Sequence, residues 1–286
     1  MALLDVQTVI CRALLSRRFR ASLRDDTLEA CSAYALRPDE VQGIRALPFD
    51  QLEKNARFID AIRLGQVRRR FVDTGRVLAR SHPDPEAFYA GWLFRLDHET
   101  NRHYENAVSF RDHVRATVDR GEPGVPPYLA DLADLEFRTC GVRESWTPAP
   151  AALARADATA AFDRLDDPAQ AALRPRRRHR VDAWTAAYDV VAISEDLRAA
   201  RDFAPPVPRA THVVAVSDTR APGLVRIERG GELMVRLLAL CDGSRTAIEI
   251  AERFVRENAA SSSALVRQEV ERSLGALGRR GWLSFA

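Results

Sequence analysis

The order of hydrophobic patterns over residues 211–286 constrains the fold of this chain more than any other feature. The segment 224–229 (LVRIER) alternates apolar and charged residues, which predicts a strand with one buried face. The segment 211–218 (THVVAVSD) predicts its partner strand across a turn. Three segments with the apolar spacing of helices follow, and a short strand closes the chain: 232–243, 246–257, 264–280 and 282–286. This order predicts a small winged-helix arrangement.

The first 120 residues predict a different architecture. Their apolar residues recur at spacings of three and four, as in Leu3, Val6 and Ile10, which is the pattern of helices that bury one face. The segment 121–127 (GEPGVPP) interrupts this pattern with glycine and proline. We therefore expect a helical domain over residues 1–122.

The part of the chain between these two regions is mixed. Residues 128–138 (YLADLADLEFR) predict a short helix, whereas 181–194 (VDAWTAAYDVVAIS) is rich in β-prone residues. Three prolines within 203–209 (FAPPVPR) predict a stiff linker. The expected fold class is α+β, mainly α: a helical domain, a mixed middle segment over 123–204, and a winged-helix module over 210–286.

The composition limits the location and the partners of the chain. The 43 Lys and Arg side chains nearly balance 40 Asp and Glu, and the net charge of +3 does not favour nucleic acid as a partner. No stretch approaches the roughly 18 apolar residues of a membrane span, and no basic segment precedes the apolar N-terminus. We expect a cytoplasmic protein with no membrane partner. The four cysteines, at 11, 31, 140 and 241, form no Cys-x-x-Cys pair, which predicts buried thiols rather than a zinc site or disulfides.

One cluster has the residue types of a catalytic or metal site. Asp97, His98 and Glu99 are followed by His103 and Glu105. A zinc-binding His-Glu-x-x-His motif needs two histidines four residues apart, on one face of a helix. Here they are five apart, which separates them by about 140° around the helix. The cluster favours a polar surface, and a helical metal-dependent enzyme stays as an alternative.

The C-terminal region resembles the PqqD-like peptide-recognition element of ribosomal peptide natural-product pathways. The resemblance lies in the strands VVAVSD and LVRIER, in the helix ending LLALCDGSRT, and in the segments AIEIAERF and EVERSLGALGRRGWL. It covers about a quarter of the chain. The resemblance implies that the module binds the leader of a precursor peptide, which adds to the sheet as an extra strand.

The middle of the chain resembles another family. PPYLADLADLEF and RVDAWTAAYDVVAIS are similar to segments of the HvfC/BufC-type partner proteins that accompany multinuclear non-heme iron-dependent oxidases (MNIO enzymes). The N-terminal helices depart from that pattern. The resemblance implies a non-catalytic accessory subunit in a heterodimer with an MNIO-type iron oxidase, with the iron in the oxidase and no cofactor in this chain.

The two resemblances together imply a peptide-binding site formed by the edge strand 224–229 and the helix 264–280. The arginines of this set are suited to an acidic leader, although a single arginine more often solvates the outer face, and the apolar helix residues are more often plain core. The implied peptide-binding residues are Leu224, Val225, Arg226, Ile227, Glu228, Arg229, Leu265, Val266, Arg267, Val270, Arg272 and Leu274. We also expect that deleting residues 205–286 removes peptide binding and leaves the remainder folded.

A winged helix also suggests a DNA-binding regulator. Such a regulator needs a basic recognition helix, because most of its affinity comes from phosphate contacts. The helix 246–257 (TAIEIAERFVRE) has more acidic than basic residues, whereas 264–280 carries Arg267, Arg272, Arg279 and Arg280. The last helix therefore keeps this alternative open.

Overall fold

The computed structural model describes residues 2–96, 102–144, 162–178, 180–217, 224–258 and 262–286. The chain divides into two compact units, Met1–Phe137 and Arg138–Ala286. Its described part is a mainly helical α+β structure, with helices throughout the first unit and small antiparallel sheets in the second. This confirms the expected fold class at that level. No helix in these ranges is long and apolar enough to cross a membrane.

The first unit is built from helices, as the spacing of its apolar residues predicts. Proline at the first position starts two of them, at Pro38 and Pro85, and the Asp84 carboxylate accepts the Ala87 N–H at the start of the second. The boundary between the two units falls within the last helix. The helices are α1 Ala2–Leu15, α2 Arg17–Asp25, α3 Thr27–Cys31, α4 Pro38–Arg45, α5 Phe49–Arg70, α6 Val72–Ser81, α7 Pro85–Arg95, α8 His103–Asp119 and α9 Leu129–Glu144.

Aromatic side chains form the centre of the first unit. Phe110 of α8 is fully buried, and the Tyr89 ring of α7 stacks on it with 5.6 Å between centroids. Phe71 and Trp92 contact the same ring at 4.9 and 5.4 Å. Edge-on and offset ring pairs of this kind add to the free energy gained from burying the apolar area. These contacts tie α7 and α8 to the junction between α5 and α6.

A carboxylate that is remote in sequence caps the start of α6. The N-cap residue of this helix, Phe71, has no side chain that accepts a hydrogen bond. Glu136 of α9 accepts the N–H of Asp73 at 2.7 Å and of Thr74 at 3.0 Å instead. Burial raises the pKa of Glu136 to about 7, although the two N–H bonds act in the opposite direction. The start of α6 therefore depends on a tertiary contact with a group that titrates near neutral pH.

Replacing Glu136 by glutamine tests this contact. Because burial raises the pKa of Glu136 from 4.5 to about 7, the folded chain holds a proton there more tightly than the unfolded chain does. The stability that this tighter proton binding adds to the folded chain is fully present below 4.5, the pKa of Glu136 in the unfolded chain. It is lost as the pH rises through about 7, the pKa of Glu136 in the folded chain. We expect Glu136→Gln, which does not titrate, to cost on the order of 2 kcal/mol more at about pH 5 than at about pH 8, in urea unfolding followed by circular dichroism. An equal cost at both pH values would contradict the raised pKa.

The second unit contains two antiparallel sheets. β2, β3 and β4 form one sheet in that order, and β1 pairs with β5 in the other. The strands are β1 Pro175–Arg177, β2 Val181–Ala186, β3 Thr211–Ser217, β4 Val225–Arg229 and β5 Leu283–Phe285. The helices are α10 Pro168–Ala171, α11 Val190–Arg198, α12 Glu232–Leu240, α13 Ala247–Glu257 and α14 Ser263–Arg279.

The strands and helices of 211–286 match the predicted order. The Thr246 hydroxyl and the Glu249 side chain form a capping box at the start of α13. Gly243 and Gly281 follow α12 and α14 with φ of 84° and 70°, a left-handed conformation that glycine adopts without steric cost. Glycine therefore follows these two helices where the sequence predicts their ends.

The middle segment differs from its prediction in two ways. The β-prone stretch 181–194 is a strand only to Ala186, because Asp189 accepts the Ala192 N–H and starts helix α11 at Val190. The strand part, β2, pairs along its full length with β3 and is the third strand of the sheet. β5 pairs with β1 and is not part of the three-stranded sheet.

One face of the three-stranded sheet packs on the core of the second unit. Val181 and Ala183 of β2 and Val214 of β3 belong to the same buried cluster as Phe254 of α13 and Leu274 of α14. A cut at residue 205 would remove the partners of β2 and β1, so the expectation that the remainder stays folded does not fit this pairing. Single-residue variants of the full chain are the better test of binding.

Candidate functional site

The last strand of the sheet, β4, presents a row of backbone groups outward. The Gly230 N–H donates to the His212 carbonyl at 2.7 Å, which makes these two residues a hydrogen-bonded pair. Such pairs alternate along an antiparallel ladder, so Arg226 and Glu228 also bond to β3. The N–H and C=O groups of the residues between them, Val225, Ile227 and Arg229, therefore point away from β3. Within the described ranges, no other strand pairs with this edge.

The opposite edge of the sheet, on β2, is largely closed. By the same alternation, Val181, Ala183 and Thr185 direct their backbone groups away from β3. The Val181 N–H donates to the Arg178 carbonyl at 3.0 Å, and the Ala183 N–H donates to the Asp182 carboxylate at 2.9 Å. Two of the three outward N–H groups of β2 are thus already bonded within the chain.

Two arginines hold Asp182 in this position. Arg138 and Arg177 each donate to its carboxylate at 3.0 Å, one to each oxygen. The Arg138 guanidinium also lies 5.1 Å from the centre of the Trp184 ring. The side chain of Asp182 is only 21% exposed, so these contacts limit its freedom to swing away from the Ala183 N–H. Within the described residues the sheet therefore has one open edge, β4, and one partly blocked edge, β2.

The charged side chains on the core-facing side of β4 form a small network. Arg226 and Glu228 share this face, and their side chains approach to 2.6 Å. Arg280, which ends α14, lies 3.9 Å from the other Glu228 oxygen. The C-terminal end of α14 and the edge strand therefore meet at Glu228.

Arg229 does not belong to this face of the sheet. Its side chain lies on the opposite face, where it donates to the Asp189 carboxylate at 3.1 Å. Glu195 of α11 is a second acidic neighbour at 4.0 Å. The side chain of Arg229 thus fixes the start of α11, and only its backbone contributes to the open edge. Leu224, just before β4, is 58% exposed, whereas Val225 and Ile227 are half-buried.

The predicted residues of α14 separate into distinct groups. Val270 and Leu274 are fully buried in the core, so they have no surface to offer a peptide. Arg267 lies about 140° around the helix from Arg280, and its acidic neighbour is Glu252 of α13, at 3.9 Å. The structure therefore excludes Val270 and Leu274 from an accessible groove and places Arg267 away from the Arg280 side.

Other predicted residues of α14 stay near the exposed surface. Leu265 is 66% exposed, Val266 is partly buried against the core, and Arg272 pairs with Glu269. Three residues of α14 lie within about 40° of Arg280 around the helix: Glu269, Ser273 and Ala276. They are not among the peptide-binding residues that the sequence implies. Their spacing of three and four residues is visible in the sequence, but only the contact between Arg280 and Glu228 shows that this side meets β4.

The arginines of the last helix do not form an uncompensated basic surface. Each has a carboxylate within 4.0 Å: Arg267 with Glu252, Arg272 with Glu269, Arg279 with Asp163, and Arg280 with Glu228. A helix that binds DNA relies on cations that are available to phosphate. The ion pairs therefore disfavour the DNA-binding alternative.

The possible metal site falls largely outside the described residues. Asp97, His98 and Glu99 are not described, and the ring of His103 lies 3.4 Å from side-chain nitrogens of Gln66 and Arg70. Among the residues that the structure does describe, no group of three His, Cys, Asp or Glu side chains is arranged to hold a metal ion.

The cysteines are free thiols. Cys31, Cys140 and Cys241 are buried as predicted, whereas Cys11 is exposed. Burial raises the pKa of Cys241 to about 12, so this thiol stays protonated and unreactive at neutral pH. The arrangement does not provide a thiolate nucleophile at Cys241.

Comparisons with known proteins do not name a family for this chain. No family model matches the sequence, and no curated protein matches it.

Amide hydrogen exchange tests the assignment of the open edge. The amide hydrogens of Arg226 and Glu228 bond to β3, whereas those of Val225, Ile227 and Arg229 face outward. We expect the outward set to exchange at least about tenfold faster, measured by NMR on the free chain. Equal protection of neighbouring residues along β4 would mean that its outer edge is already covered.

Proposed function

We propose that this chain is a non-catalytic recognition subunit that binds the leader of a precursor peptide along β4 and presents it to an MNIO-type iron oxidase. The observation that carries the proposal is the difference between the two edges of one sheet. Among the described residues the outward backbone groups of β4 have no partner, whereas Asp182 and the turn at Arg178 occupy two of the three outward N–H groups of β2. An extended peptide therefore has one edge on which to add.

Backbone pairing supplies affinity with little demand on the sequence of the guest. Val225, Ile227 and Arg229 each offer one N–H and one C=O. Each bond formed with a guest strand contributes about 0.5–1.5 kcal/mol net, and ordering the guest offsets part of this gain. Backbone pairing alone therefore binds the guest weakly and does not distinguish one peptide sequence from another. The side chains beside the edge have to supply the specificity.

The charges beside the edge favour an acidic guest. Arg226 and Arg280 both lie against the single carboxylate of Glu228. A carboxylate of the guest strand can share or replace these contacts, since guanidinium groups bind carboxylates in well-defined geometry. Glu269 and Arg272 on the same side of α14 already pair with each other and add little net charge.

The iron oxidase enters the proposal through sequence resemblance. The similar segments, PPYLADLADLEF and RVDAWTAAYDVVAIS, correspond in the structure to the start of α9 and to β2 with the start of α11. In this proposal the iron and the oxidation chemistry belong to the oxidase, and this chain supplies the peptide. Both would work in the cytoplasm, where the precursor is made.

Proline substitutions at the two edges test peptide capture. Proline has no N–H, and at an outward position it removes a donor to the guest but not a bond of the ladder. We expect Ile227→Pro on β4 to weaken binding at least about tenfold, whereas Thr185→Pro on β2 leaves it unchanged. The probe is a fluorescein-labelled synthetic peptide that carries glutamate at alternate positions, measured by fluorescence anisotropy.

Two controls separate lost binding from lost structure. Ile227→Ala removes the side chain but keeps the N–H, and circular dichroism reports whether each variant is folded. Binding that survives Ile227→Pro, or that is lost equally in Thr185→Pro, would remove β4 as the site.

Coexpression tests the partnership with the oxidase. We expect a precursor peptide to gain a mass change only when an MNIO-type oxidase from the same genome and this chain are both present, as seen by mass spectrometry of the purified peptide. The Ile227→Pro variant should still copurify with the oxidase while the modification is lost. Full modification of the precursor in the absence of this chain would refute the presenting role.

A further inference from the structure

A cavity in the first unit lies between α2 and α5, in the unit that does not contain the sheet edge. Its volume is about 350 Å³, within the lower part of the range for small-molecule sites. Four arginines and two carboxylates line it, together with Phe49 and Ala21. The lining residues are Arg17, Arg20, Ala21, Arg24, Phe49, Glu53, Arg57 and Asp60.

The inner wall of the cavity is fixed by buried groups. Asp60 is 5% exposed and accepts from Arg17 at 2.7 Å, with Arg20 at 3.9 Å. Arg20 also donates to the Ala13 carbonyl at 2.8 Å, one of the last carbonyls of α1. The C-terminal end of a helix attracts cations, so this contact holds the Arg20 guanidinium in place. The inner arginines are therefore positioned before any ligand arrives.

The rim of the cavity is more exposed and more weakly paired. Arg57 has Glu53 as its acidic neighbour at 3.9 Å, and Arg24 has Asp25 at 3.5 Å. Their side chains are 75% and 60% exposed, so these ion pairs contribute little to stability. Both guanidinium groups are free to turn toward a ligand in the cavity.

The lining carries more positive than negative charge. Four guanidinium groups face two carboxylates, which leaves a formal excess of two positive charges. The Arg20 side chain is only 10% exposed, and this burial lowers its pKa although Asp60 acts in the opposite direction. Poorly solvated positive charge beside an open cavity is stabilised by a counter-anion.

We propose that this cavity binds a small anion that carries a carboxylate or a phosphate group. Planar guanidinium groups donate pairs of hydrogen bonds to both kinds of oxyanion. Phe49 and Ala21 accommodate a short carbon chain beside the anionic group. This site is independent of the peptide edge, so the two proposals stand or fall separately.

Isothermal titration calorimetry on the full chain tests the site with three probes: inorganic phosphate, succinate, and succinamide as the uncharged analogue. We expect one saturable site for succinate, phosphate or both, weakening as sodium chloride is added, and none for succinamide. Binding of only one anion identifies which oxyanion the site takes. Saturable binding of neither anion, or equal binding of succinamide and succinate, would overturn the proposal.

Matched variants locate the binding. Arg24→Gln with Arg57→Gln removes two rim charges and should weaken anion binding at least about tenfold. Arg18→Gln with Arg45→Gln removes two exposed arginines that do not line the cavity and should change it less than about twofold. Ala21→Leu fills the cavity without a change of charge and should also weaken binding. If the two double variants weaken binding equally, or if Ala21→Leu has no effect, the anion binds elsewhere and the proposal fails.

Discussion

The antiparallel pairing of β3 with β4 is the constraint on which the candidate site depends. The hydrogen bond from Gly230 to His212 sets the register, and the register decides which backbone groups of β4 face outward. A shift by one residue would exchange the outward and inward sets and would move Arg226 and Glu228 to the other face. β3 keeps this register because it lies between two partners, and its buried residues anchor it in the core of the second unit.

The sequence predicts the local features of this unit well and the long-range ones poorly. The alternation in 224–229 and the helical spacing after it depend only on neighbouring residues, and the predicted strand and helices are confirmed. The buried apolar face predicted for the strand is wrong, because Val225 and Ile227 are only half-buried and lie on the face opposite Val214 of the core. The sequence does not predict that β2 joins this sheet as its third strand, because a helix and a proline-rich segment separate β2 from β3. At Val190 and Val191 the β propensity of the side chains is overridden by the Asp189 cap, which starts a helix.

The roles of the arginines were the least predictable part of the candidate site. In the sequence, Arg226, Arg229 and Arg267 look alike. In the structure they have different partners, Glu228, Asp189 and Glu252, on three different elements. The partner of an arginine depends on which elements pack together, and single-sequence patterns carry little information about that. The buried positions of α14 illustrate the same limit, since the apolar spacing identifies Val270 and Leu274 as core-type residues but not the neighbours that cover them.

Side chains from other helices also complete the helix ends of the first unit. Glu136 bonds to the free N–H groups at the start of α6, and Arg20 bonds to carbonyls at the end of α1. Local caps form as the helix does, whereas these two need the tertiary structure to be in place. α1 and α6 therefore have little reason to be stable as isolated segments, and the unit is expected to fold cooperatively.

The Asp182 carboxylate has a consequence for self-association. A sheet with two open edges can add copies at both ends and grow into a fibre, whereas a sheet with one open edge stops after a single addition. Because Asp182 occupies the Ala183 N–H on β2, two copies that met through β4 would form a closed pair related by a twofold axis. Such a pair would cover the guest site on both copies, so dilution would favour the form that is free to take a peptide.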